Sequence, residues 1–151
     1  MSLRYPTQTM QAPGPFISEQ HPSSRRHAIF EDDATSAWLY LTTPGEPRPV
    51  ADVFVYNRQA PGDRVDDSDR SRPPPIVKQF AAPSAVVDAP ELSVWQLRWS
   101  VDGESVALAR DGVVVALIAS GQRRGRSAAI LADCPWGAPL LAEHLAAAGV
   151  G

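Results

Sequence analysis

Two Asp-Gly pairs, Asp102-Gly103 and Asp111-Gly112, lie nine residues apart, and each separates runs rich in β-branched and aromatic residues. Such a pair supplies the positive φ angles of a two-residue hairpin turn, so the spacing predicts a three-stranded antiparallel meander between Val94 and Ser120. A loop at 102–103 sets Trp99 opposite Val106 and Leu97 opposite Leu108. A loop at 111–112 sets Leu108 opposite Val115 and Val106 opposite Leu117. Both turns send Leu97, Trp99, Val106, Leu108, Val115 and Leu117 to one face, the expected core face.

The other face is polar on the first strand (Gln96, Arg98, Ser100) and apolar on the third (Val114, Ala116, Ile118). The third strand therefore needs a cover on both sides. Pro139 to Ala148 is predicted to be that cover, a short helix with proline in its first turn, Gly149 past its end, and a stripe of Leu141, Leu145 and Ala148. Ala128 to Ala132 reads as a further strand, ended by Pro135.

Upstream, Ala28–Phe30, Ala37–Leu41 and Asp52–Asn57 are β-prone, with Glu31–Ser36 as a polar turn between the first two. Residues 58–91 hold Pro61, Pro73–Pro75, Pro83 and Pro90 and read as a proline-rich loop, with Ile76–Phe80 as a short edge strand. Residues 1–26 are polar and without periodicity, and read as an extended or disordered N-terminal arm. Met1–Leu3 also reads as an added leader. The expected architecture is α+β and mainly antiparallel β: the arm over 1–26, then a single domain over 27–151. That domain holds a meander sheet of about six to seven strands and one short C-terminal helix.

Fourteen basic and seventeen acidic residues leave a net charge of −3, so no overall positive field attracts a phosphate backbone, and nucleic-acid binding is disfavoured. The longest apolar run, Val113–Ala119, is far short of the ~20 residues of a membrane span. The N-terminus has no apolar signal core, and Cys134 is the only cysteine. These features predict a cytoplasmic protein without membrane attachment.

Catalytic and metal motifs fail one by one. Trp99-Ser100-x-Asp102-Gly103 is similar to the strand-turn phrase of a propeller blade, but no second copy exists. Ser120–Ser127 follows an apolar strand as a phosphate-cradling loop does. Yet Ser120 stands for the first glycine and Arg126 for the lysine, and the segment before Pro135 is short for a helix. A calcium loop started at Asp67 meets Arg72 where glycine belongs and Lys78 where the final glutamate belongs. His21, His27, His144 and Cys134 lack paired zinc-ligand spacing, so neither metal nor cofactor is expected. Glu31-Asp32-Asp33 reads as an acidic hairpin turn. Cys134 with His144 is the one nucleophile–base pair to consider, and Pro135-Trp136 beside the sulfur favours a buried structural thiol.

Three features have a counterpart elsewhere: the Phe30-Glu31-Asp32-Asp33 turn, Trp99-Ser100-x-Asp102-Gly103 with Val106-Ala107-Leu108, and Pro135-Trp136. In their order the chain resembles small bacterial proteins classed only as domains of unknown function. The resemblance implies a mostly β, bacterial cytoplasmic protein, and it implies no activity, cofactor or catalytic residue.

What remains is a non-enzymatic binding module that engages an unidentified protein or a second copy of itself. The alternative is an anion or small-molecule site, with Arg123, Arg124 and Arg126 as its ligand-binding residues beside Cys134. Carboxylates of the Glu31 turn lining the same cavity would favour that alternative.

Overall fold

The computed structural model describes residues 14–66 and 70–150. Its strands form two sheets rather than one. The first has the order β1 (Phe16–Gln20), β2 (His27–Asp32), β3 (Ser36–Leu41), β4 (Ala51–Asn57). The second has the order β5 (Trp95–Trp99), β6 (Val106–Arg110), β7 (Val113–Ile118), β8 (Arg126–Ser127), β9 (Ala138–Pro139). All neighbours are antiparallel except β8 and β9. Among the described residues nine strands thus stand where six to seven were expected.

The meander forms, with one change of register. Trp99 faces Val106 and Leu97 faces Leu108, as the first turn requires. Only the second turn has both central residues at positive φ, Asp111 at 50° and Gly112 at 85°; at the first, Gly103 alone does. Beyond the second turn a bulge at Leu108/Ala109 slips β7 by one residue, so Leu108 faces Ala116 and Val106 faces Ile118. One extra residue turns every later side chain to the opposite face. Ala116 and Ile118 therefore enter the main core, and Leu117 moves outside.

The main core fills the space between the sheets. Phe30 and Tyr56 from the first sheet hold the Trp95 ring of the second, with centroids 5.0 and 5.5 Å away. A smaller cluster lies on the outer face of β6 and β7. There Ala107 and Leu117 pack with Val150, Leu140, Leu145 and Ala148. The helix α1 covers that face as expected, but it runs Ala142–Ala148 rather than from Pro139, which belongs to β9. Leu141 is exposed rather than part of its stripe. Among the described residues no helix is long and apolar enough to cross a membrane.

Three further expectations change. Phe16–Gln20, read as part of an extended or disordered arm, is an edge strand paired along its length with β2. Its Glu19 accepts from Trp99 Nε1 at 3.3 Å, and the His21 ring lies edge-on to Trp99 at 5.4 Å. Residues 1–13 of that arm lie outside the described residues. Ile76–Phe80 is not a strand, since Lys78–Phe80 is a 3-10 turn. The buried Asn57 amide accepts from Ile76 N–H (2.9 Å) and donates to Ile76 C=O (3.1 Å), doing the work of a neighbouring strand. Ala128–Ala132 contains no strand; the pairing with β7 falls at Arg126–Ser127.

Candidate functional site: an arginine-lined groove

Gly125 organises the arginine segment. A Cβ there would lie 2.5 Å from Leu117 O and 2.9 Å from both Val53 Cβ and Ile118 Cγ1, so only glycine permits this approach to the core. Its backbone is held on two sides, donating to Asp52 O at 2.9 Å and accepting from Ala138 N at 3.0 Å. With residue 125 turned inward, side-chain alternation turns Arg124 and Arg126 outward. Arg126 Nη1 donates to Pro139 O at 3.1 Å, and Arg124 Nη1 donates to Cys134 O.

The fold thus brings the three arginines together. Arg123, Arg124 and Arg126 line one depression of about 290 Å³, with Gln122 and Ala138, and Asp133 is the sole carboxylate in its lining among the described residues. The turn carboxylates are elsewhere. Asp32 is buried beneath Tyr56 and Arg58, and Asp33 Oδ1 accepts from Thr35 N and Ser36 N. Asp52, whose backbone meets this segment, has its carboxyl raised above the usual range by burial.

Cys134 and His144 each meet a backbone group of their own segment. The buried Cys134 sulfur donates to Gly137 O at 3.6 Å. Burial pushes its thiol up, against a smaller downward pull that includes Arg124. His144 Nδ1 accepts from Leu141 N at 3.0 Å at the start of α1. No thiolate–imidazole arrangement follows from those contacts.

A second depression, of about 590 Å³, adjoins the first and shares Leu117, Ala119, Gln122 and Arg126 with it. Its remaining walls are the 100–102 turn, Ser105, Ser120 and the side of α1 from His144 to Gly149. Sequence reasoning missed this half. Its signal was present in the apolar outer face of β7 opposite an alanine-rich helix, with Arg126 in register with Leu117. Among the described residues no group of three or more His, Cys, Asp or Glu is placed to hold a metal ion. Comparison with known protein families, with characterised proteins and with solved structures finds no match for this chain.

Proposed function

We propose that the protein is a non-enzymatic binding module whose ligand presents an anionic group to Arg123, Arg124 and Arg126. The observation that carries this reading is the convergence of three guanidinium side chains on one small depression with a single opposing carboxylate. Planar forks with several N–H donors suit carboxylate or phosphate oxygens. The two backbone contacts of Arg124 and Arg126 hold their forks in place, which lowers the ordering cost of binding.

Inorganic phosphate titrated into the full-length protein tests it by amide chemical shifts. Saturable shifts over residues 123–127, weakened by added salt and removed by Arg123→Gln with Arg126→Gln, are expected. Unmoved amides there would overturn the reading.

A second reading, self-association, is favoured by a different surface. Leu92, Val94 and Val113 are 82%, 65% and 66% exposed near the Asp111-Gly112 turn. Solution mass measured for the protein and for Leu92→Glu decides between a dimer through this patch and a monomer.

A further inference from the structure

The larger depression narrows the class of ligand. It joins the arginine cluster through Arg126, so a molecule held there by an anionic head has room to extend toward α1. The way is apolar: Ala119, Ala147 and Ala148 line it, with Leu117 closed beneath them by the α1 cluster. The volume, about 590 Å³, lies within the range of small-molecule sites. In the same lining, His144 adds a donor. Its Nδ1 is occupied by Leu141 N–H, so the neutral ring carries its proton on Nε2. The far rim has the opposite sign. Asp102 lines only the larger depression, and hydrogen bonds from Glu104 N and Ser100 Oγ hold its carboxyl below the usual range. A second negative charge at the distal end of the ligand would meet that carboxylate.

We propose that the groove binds an aliphatic monocarboxylate, with its head on Arg126 and its chain along Ala119, Ala147 and Ala148 beside the last turn of α1. The proposal rests on the arginine reading above and adds the chain to it. Burial of even a few methylenes predicts a steep dependence on chain length.

The test compares octanoate, acetate, octanedioate and inorganic phosphate on the full-length protein, by calorimetry and by methyl chemical shifts of Leu117 and Ala148. Octanoate is expected to bind at least about tenfold tighter than acetate, and octanedioate to lose most of that gain. Arg126→Gln should weaken octanoate. Ala147→Trp, at an exposed helix position, should abolish the chain-length gain while leaving phosphate binding intact. Octanoate no tighter than acetate, with phosphate still shifting residues 123–127, would overturn the chain site and leave the arginine reading standing. Phosphate failing as well removes both. Tight octanoate binding that is indifferent to Arg126→Gln, or that leaves the Leu117 and Ala148 methyls unmoved, also overturns the proposal. The methyl readout needs no variant to fold.

Discussion

Arg58 lies against Asp32 inside the protein, its Nη1 3.0 Å from Oδ2 and 3.1 Å from Oδ1, with almost none of either side chain exposed. Ala34 N (2.7 Å) and the Tyr56 hydroxyl (2.5 Å) complete the carboxylate's partners. Arg58 Nε finds no acceptor among the described residues. The pair ties the end of β2 to the residue following β4.

Removing one member leaves the other charged and buried. Asp32→Asn should cost about 3–5 kcal/mol of folding stability, measured from urea midpoints. Asp32→Asn combined with Arg58→Met should be milder than Asp32→Asn alone, because the orphaned guanidinium is gone. A double variant worse than the single would show that the pair is worth more than the desolvation it requires.

Deleting residues 1–20 removes β1, withdraws Ile17 from the core and strips Glu19 from Trp99. Thermal and urea midpoints should fall, by at least about 2 kcal/mol in stability. An unchanged midpoint would mean that the pairing of β1 with β2 contributes nothing.

The tryptophans of β5 should differ. Trp95 is enclosed by Phe30 and Tyr56, and its Nε1 donates to Pro90 O at 2.9 Å, so Trp95→Ala should cost about 3–5 kcal/mol. Trp99 also packs against the core, but at the border with β1, where its ring meets the His21 ring and its Nε1 donates to the exposed Glu19. Trp99→Ala should cost distinctly less, and equal losses would contradict this arrangement.

Alkaline pH should destabilise the fold. Burial, then the nearby Asp52, Glu31 and Asp33 charges, raise the Tyr40 phenol above its ordinary value of 10.0. Tyr56 is raised too, by burial and by its hydrogen bond to Asp32. A raised acid is still protonated in the folded chain when the unfolded chain has lost its proton. Its contribution is therefore complete below about pH 10 and is lost as pH climbs above that. Tyr40→Phe should flatten the stability curve above pH 10, by at most about 1.4 kcal/mol per pH unit, the linkage of a single proton. An identical slope would exclude Tyr40 as a contributor.

The parts of the fold legible in the sequence are those set by local chemistry. Asp111-Gly112 announces its turn because few other pairs tolerate two positive φ angles. The arginines stand close in sequence, so their gathering in space was readable, whereas the separation of Cys134 from His144 depended on which backbone groups each would meet. The bulge after Leu108 left no mark, because the Val113–Ile118 run is apolar at every position and either register buries something. Phe16–Gln20 was illegible for the opposite reason. Its polar residues suit a strand at a solvent border, and only Ile17 is drawn into the core. The Asn57–Ile76 contact replaces a strand by one side chain, which no periodicity reveals.

The junction at Asp52 also bears on synthesis. The β4 backbone is completed by Arg123 and Gly125 at residue 52 and by Trp136 at residue 54. While the ribosome has released only the first sheet, that edge has no partner from its own chain; Asn57 later meets Val86 and Val87, but the neighbours of residues 52 and 54 lie some seventy to eighty residues further on. The first sheet therefore waits with that part of its edge open until residues 123–136 have emerged, the interval in which pairing with another nascent chain competes with folding.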